Sequence, residues 1–405
     1  MSTRGLHLRL AAVLAGASLA VAACGGGSAT SSGQSDDKPG SKAPQGVTDT
    51  AIKIGATMPI TGPIAGAGGA LSNGLKIAVE SVNAAGGING RKIDVTILDD
   101  QYQTPKSVAN IRKLASDHYA LVNPIGTQLI PASWDFIKES GIPTFGPVSP
   151  PDPKLENVFG LGASIQDQSA VMADHLISKG FKKIGVIYLQ GEFGDAEKKG
   201  IEGVLAKHPD VKIVTEQSLP VTELNVSSYV LNAQKAKPEA FILGSQNTTS
   251  YLILKEAERI GWKPFFIGNG NTVTTPEISK LDFAEGLVST AITQSLDADT
   301  EGIKRFKADA AKYTPGTAPT LQTLQTYANA MVFFEAVKRA GDDLSWDNLL
   351  KTIEGIKDYD TGIYPSITFG PLPDGHFAAS GSLITQLKNH TFVPVSDEFV
   401  EPSVG

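Results

Sequence analysis

The residue types that most often do chemistry are sparse in this chain and poorly spaced for it. Cys24 is the only cysteine, so neither an intramolecular disulfide nor a cysteine-built zinc or iron–sulfur site is available. The histidines are His7, His118, His175, His208, His376 and His390, and no two have helical metal-ligand spacing. No Gly-x-Ser-x-Gly elbow occurs, and the Ser35-x-x-Lys38 pair sits in a Gly/Ser-rich stretch that cannot hold a nucleophile in place. Asp99-Asp100 closes an expected strand. Paired carboxylates could do acid–base work or bind a divalent cation, but a capping or structural role suits the position better. The run from Gly62 to Gly69 has the glycines of a phosphate cradle but not its lysine. Leu71 stands where a dinucleotide fingerprint needs Gly or Ala. Lying between a strand and a helix, this run is either a receptor for an anion or polar ligand, or simply a tight turn. These residues imply no enzyme, no metal and no cofactor. A hydrolytic enzyme would have to use Asp99-Asp100, or Glu192 with Asp195.

The elements that would position these residues alternate between two periodicities. Strands are expected at Ile52–Ala56, Lys92–Leu98, Leu121–Val122, Ile142–Phe145, Lys183–Leu189, Lys212–Glu216, Ala240–Gly244, Phe265–Gly268 and Leu287–Thr293. Between them fall helical stripes, such as Leu71, Leu75, Ala78, Val79 and Val82, or Val108, Ile111 and Leu114 after Pro105. Further helices are expected at Ser169–Lys179, Asp195–Lys207, Val226–Ala236, Thr249–Ile260, Leu321–Ala340 and Trp346–Ile353, with last strands near Ile367–Phe369 and Ser382–Leu387. Alternation in two blocks predicts an α/β protein with two parallel-sheet lobes, and ligands then bind outside the carboxyl ends of the strands. At 405 residues the chain has room for two or three domains, and 41% hydrophobic against 19% charged residues supplies their cores. A net charge of −7 gives no positive field for nucleic acid.

Residues 1–23 read as an address. Arg4 and Arg9 precede an apolar run from Leu10 to Ala20, which is too short to span a bilayer as a helix. Val21-Ala22-Ala23-Cys24-Gly25 resembles the lipobox of bacterial lipoproteins, which implies cleavage before Cys24 and a diacylglycerol on it. The alternative is an ordinary cleaved signal peptide with Cys24 incidental. Residues 24–47 are rich in Gly, Ser and Pro and poor in apolar side chains, the composition of a flexible tether.

The folded body resembles a known family. Thr61-Gly62-Pro63, Asn83-Ala84-Ala85-Gly86-Gly87-Ile88-Asn89-Gly90-Arg91-Lys92, Asp99-Asp100 and Pro105 stand at the spacing seen in periplasmic solute-binding proteins of the Leu/Ile/Val type, which serve ABC importers. Val186-Ile187-Tyr188, Phe193-Gly194, Lys237-Pro238-Glu239-Ala240 and Gly261-Trp262-Lys263 extend the likeness, so that it covers residues 48–400. The resemblance implies the type I fold: two Rossmann-like lobes, three crossovers near Ser164, Ala291 and Ser380, and a ligand cleft closed by a hinge. The lobes would be 48–163 with 292–379, and 164–291 with 380–400. It also implies an extracytoplasmic, lipid-anchored, monomeric protein whose partners are a small-molecule ligand and the membrane subunits of a permease. A lipoprotein that senses ligand for a membrane receptor kinase is the rival within the binding class.

Carried over residue by residue, the implied ligand contacts are Thr127 and Gln128 after one strand, and Val148 and Ser149 after the next. From the other lobe they are Phe193, Gln246, Asn247, Asn269 and Asn271. The sequence departs from the family pattern in three places. Gly126 stands near the usual serine, Pro150-Pro151 replaces Ala-Thr, and Gly268–Asn271 lacks the acid that pairs with an amino-acid ammonium. Burying an ammonium without a carboxylate is costly. The expected ligand is therefore a small polar solute other than a simple α-amino acid, held by amides and hydroxyls.

Overall fold

A computed structural model describes residues 44–403, apart from 127, 148–153, 373–374, 380 and 396–397. The signal, Cys24 and nearly all of the tether therefore lie outside the described residues, as do Thr127, Val148 and Ser149. The chain divides between Lys42 and Ala43, and every element below belongs to the unit that follows.

The chain first lays down β1 (Ala51–Met58), α1 (Ala65–Ala84), β2 (Lys92–Asp99), α2 (Thr104–Leu114), β3 (Ala120–Val122), α3 (Trp134–Ser140), β4 (Thr144–Phe145) and β5 (Val158–Leu161). Then come α4 (Ile165–Ser178), β6 (Lys183–Leu189), α5 (Glu192–Leu205), β7 (Lys212–Leu219), α6 (Ser227–Ala236), β8 (Ala240–Gly244), α7 (Asn247–Arg259), β9 (Phe265–Asn269), α8 (Gly270–Val273), α9 (Pro276–Ser279) and β10 (Val288–Ala291). The last stretch holds α10 (Glu301–Tyr313), α11 (Leu321–Ala340), α12 (Trp346–Glu354), β11 (Phe377–Ala378), β12 (Leu383–Lys388) and β13 (Thr391–Pro394).

Two sheets result. One is wholly parallel with order β11-β5-β4-β3-β1-β2, and the other has order β13-β12-β10-β9-β8-β6-β7, in which β12 alone runs antiparallel to its neighbours β10 and β13. Each contains the doubly-wound order 2-1-3-4-5, so each has a topological switch point, at β1/β3 and at β6/β8. The chain passes between the sheets three times: after β5, after β10, and between β11 and β12.

Local chemistry explains the boundaries. In β1 the side chains of Ile52, Ile54, Ala56 and Met58 enter one core, while Gly55 on the opposite face lets Leu114 of α2 approach. The helix after the first crossover starts with a capping box, Ser164 with Asp167, and α11 starts with another, Thr320 with Thr323. Gly141, left-handed at φ 68°, ends α3. The hairpin joining β12 to β13 turns on Asn389 and His390, both at positive φ, as a tight hairpin turn needs.

The expected strand near Ile367–Phe369 is a single bridge, Tyr359 to Ile367. Ile367 and Phe369 are fully buried, Phe369 against the rings of Phe145 and Phe159, so their apolar pattern reflects core packing and not sheet pairing. Gly66, Gly68 and Gly69 lie inside α1, not in the loop before it. Gly68 is required there because a Cβ would fall 1.9 Å from the Pro59 carbonyl oxygen.

Candidate functional site

The loops that leave the carboxyl ends of both sheets form the candidate site. On the first sheet they follow β1, β3 and β4; on the second they follow β6, β8 and β9.

The loop after β1 is fastened by the aspartate pair. Asp99 accepts hydrogen bonds from the Thr61 amide (3.2 Å), the Thr61 hydroxyl (2.5 Å) and the Gln101 amide (3.0 Å). Desolvation works to raise its pKa, but these bonds outweigh it and hold the carboxyl below the usual range. Asp100 is fully buried and accepts from the Thr57 hydroxyl and the Tyr102 amide, both at 2.9 Å. Its pKa is raised, by burial above all. Both carboxyls hold backbone and side chains of the fold, which is the structural role their position suggested.

After β3, Asn123 takes a left-handed conformation and the Gly126 carbonyl accepts from the amides of Leu129 and Ile130, both at 3.0 Å. Gly126 has φ 128°, and a Cβ there would lie 2.7 Å from the Leu129 side chain. A serine at this position would be strained, which accounts for one departure from the family pattern. Gln128 reaches the other sheet. Its Nε2 lies 3.4 Å from the point a Cβ on Gly191 would occupy, and Gly191 is the residue before α5. The two loop sets therefore face each other so closely that a side chain added at Gly191 would meet Gln128.

On the second sheet, α5 and α7 start at the cleft without a capping side chain. The helix dipole favours negative charge there. Phe193 is partly buried and packs on the second-sheet core. Gln246 and Asn247, where α7 begins, are partly exposed. Asn269 is fully buried at the end of β9, and Asn271 lies in α8. Of the implied contacts, Gln128, Phe193, Gln246 and Asn247 thus keep some exposure at the facing edges, and Asn269 does not. A cavity of about 20 Å³, room for about one water, lies between Gln168 and Gly270 on one side and Leu321 and Gln325 on the other.

Ionisable groups are scarce here. The loop after β4 carries Lys154 and Glu156 just before β5, whereas among the described residues of the loops after β1, β3, β6, β8 and β9 none carries a charged side chain except Glu192, at the start of α5. Its pKa is raised, first by desolvation and then by neighbouring Asp195. The described histidines do not converge. His118 contacts Asp117 and the Leu114 carbonyl, and His376 is buried against Phe159 and Glu354. His390 contacts the Ser279 carbonyl. Among the described residues no group of three His, Cys, Asp or Glu could hold a metal ion, and no helix is long and apolar enough to cross a membrane.

Sequence reasoning missed two kinds of residue. Glu197 of α5 is fully buried beside Gly244 at the end of β8, and neither carboxyl oxygen has a hydrogen-bond partner among the described residues. Its signal was a lone acid within a buried stripe containing Gly194, Ile201 and Val204. Asn123, Asn329 and Tyr364 form a buried polar chain behind the first-sheet loops. They carry no sequence signal, because the fold alone brings them together.

Two facing α/β lobes with a polar cleft at their strand ends define a small-molecule binder of the type I class. The profile described as "Periplasmic binding protein" matches residues 51–391, and the chain belongs to that family. The family places such proteins outside the cytoplasm. Over 316 residues the chain is 28% identical to the Leu/Ile/Val-binding protein homolog 7 of Brucella suis biovar 1, a match covering 71% of this chain and 77% of that one. Two solved structures share the fold. The fatty acid ABC transporter substrate-binding protein from Thermomonospora curvata has a TM-score of 0.80 and 20% identity, covering 89% of this chain and 95% of that one. A branched-chain amino acid ABC transporter protein from Thermus thermophilus with bound valine has a TM-score of 0.77 and 20% identity, covering 89% and 98%.

Proposed function

We propose that this chain is the lipid-anchored solute-binding protein of an ABC importer. It captures a small polar solute between lobes 48–163 plus 292–379 and 164–291 plus 380–400, and delivers it to membrane permease subunits without chemical change. The observation that carries this reading is the approach of Gln128 to Gly191 across the facing strand ends, its Nε2 3.4 Å from the point a Cβ on Gly191 would occupy. A solute seated there would touch both lobes, and the free energy of those contacts would favour the closed arrangement.

The solute is a neutral amide, a hydroxylated compound or a carboxylate without an ammonium. The starts of α5 and α7 lack a capping side chain and suit an acceptor or anion, and in the described loops after β1, β3, β6, β8 and β9 the sole acid is Glu192. The relatives whose names mention fatty acid and valine are compatible with a carboxylate in this cleft. Thermal unfolding over a panel of amides, polyols, alkanoates and amino acids tests this. A true solute at a hundred times its Kd should add about 2.7 kcal/mol of stability. Leucine and valine should add none. Tight binding of leucine would overturn the solute class.

Cys24 is proposed as the anchor. Cys24→Ala should shift the protein from the membrane fraction to the soluble fraction of the host cell. An unchanged membrane share would remove the lipid from this account.

A further inference from the structure

Behind the loops of the first sheet runs a chain of buried, directed hydrogen bonds. The Tyr364 hydroxyl donates to Asn329 Oδ1 at 2.7 Å, Asn329 Nδ2 donates to Asn123 Oδ1 at 2.9 Å, and Asn123 Nδ2 donates to the Thr326 carbonyl at 2.9 Å. All three side chains are at most 3% exposed. Each amide is oriented by its neighbours: the Thr326 carbonyl can only accept, so Asn123 turns its nitrogen there and its oxygen to Asn329, whose nitrogen then faces Asn123 and whose oxygen faces the Tyr364 hydroxyl.

The two ends of this chain lie at different functional places. Asn123 is the first residue after β3, and its amide donates to the Phe145 carbonyl. Gly146, the first residue after β4, sits directly on the network. A Cβ there would be 2.7 Å from Asn123 Oδ1 and 2.9 Å from Asn329 Nδ2. At the other end, the Tyr364 ring lies near Gly162 in the first crossover, 3.3 Å from where its Cβ would be, beside Ile292 of the second crossover. The carbonyl of Ile363, next to Tyr364, accepts from the Gln294 amide of that second crossover (2.7 Å). Gly162 donates to the Ala378 carbonyl at the entry to the third (3.0 Å).

We propose that Asn123, Asn329 and Tyr364 are positioning residues that register the solute loops after β3 and β4 to the crossovers on which the lobes hinge. The functional meaning rests on the reading that those loops meet solute, whereas the mechanical link can be tested without any. It gives the loops a fixed geometry relative to the hinge, so that the first-sheet edge moves as one body when the lobes close.

The test is amide hydrogen exchange on the full chain with no solute present. Tyr364→Phe keeps the ring and deletes only the donor. It should speed exchange at residues 120–130 and 144–147 roughly tenfold, the factor that follows from losing one buried hydrogen bond. Exchange in β8 should not change. Asn329→Ala should have a similar effect on residues 120–130, and Tyr364→Phe added to it should have no further effect there, because the link is already cut. Faster exchange confined to residues 360–366, or full additivity of the two changes at 120–130, would overturn the proposal. Neither outcome depends on which solute binds, so failure of the solute class leaves this result standing.

Discussion

Replacing Glu197 with methionine should make the protein more stable at pH 8 than the unaltered chain, and should flatten the decline of stability with pH. Burial alone raises this carboxyl well above its ordinary value of 4.5. Its Oε2 and the Ile187 carbonyl oxygen lie 2.3 and 2.6 Å from the point a Cβ on Gly244 would take, so it is packed against strand backbone with no donor beside it. Below pH 4.5 both the folded and the unfolded chain keep the proton, and this group contributes no pH dependence. Above 4.5 the unfolded chain releases the proton and the folded one retains it. Stability therefore falls by up to about 1.4 kcal/mol per pH unit until the pH passes the folded value. Methionine has a similar shape and no proton, and it spares the fold an unpartnered buried polar group, which costs about 1–3 kcal/mol. Asp100 and Asp167 are also raised by burial, but they remain in both proteins, so the difference isolates Glu197. Urea unfolding at pH 5 and pH 8 measures it. Parallel pH profiles for the two proteins would show that Glu197 is not held protonated in the fold.

The second large effect concerns two helix pairs that touch through glycine. Gly74 of α1 lies against α11 so closely that a Cβ would fall 2.1 Å from Thr326 Oγ1 and 2.2 Å from the Thr323 carbonyl oxygen. Gly200 of α5 has the same relation to α4, with the Gln166 carbonyl oxygen at 2.1 Å. Backbone atoms cannot step aside without moving the helix, so Gly74→Val and Gly200→Val should each cost about 3 kcal/mol, the upper end of overpacking effects, or unfold the lobe. Gly69 is the internal control. It lies on α1 with nothing within 4 Å of its Cβ position. Gly69→Ala should stabilise by about 0.5–1 kcal/mol through helix propensity. Equal denaturation midpoints for Gly74→Val and Gly69→Ala would contradict the close approach.

Much of the fold was legible because strand and helix periods are strong where a core face is continuous. Lys183–Leu189 and Ala240–Gly244 were read to the residue, since both are buried along nearly their whole length. Leu321–Ala340 was equally plain, with its long buried face. Helix α10 escaped notice because only Ile303, Phe306 and Ala310 are buried, a narrow stripe in a charged segment, although Thr300 caps it. Strands β5 and β11 are two to four residues long, shorter than any periodicity can reveal. The strand-end loops were legible, because they follow from the strands, and the residues that support them were not. Asn123 and Asn329 stand 206 residues apart, and only the placement of α11 beneath β3 and β4 joins them. Glu197 was hidden for the opposite reason: an acid on an amphipathic helix is ordinarily assigned to the wet face.

The order in which strands enter the sheets has a consequence in time. The Thr326 hydroxyl of α11 donates to the Leu71 carbonyl of α1, a bond between residues 255 apart. During synthesis from the N-terminus, the apolar face of α1, with Leu75 and Ala78, emerges long before the helix that covers it. The second sheet can assemble β6 to β10 from one unbroken stretch and adds β12 and β13 only at the end. The lobe that begins the body thus waits for α11 while the parallel part of the second sheet is already made, and any chain released before residue 321 carries an uncovered α1 face that invites association with other chains.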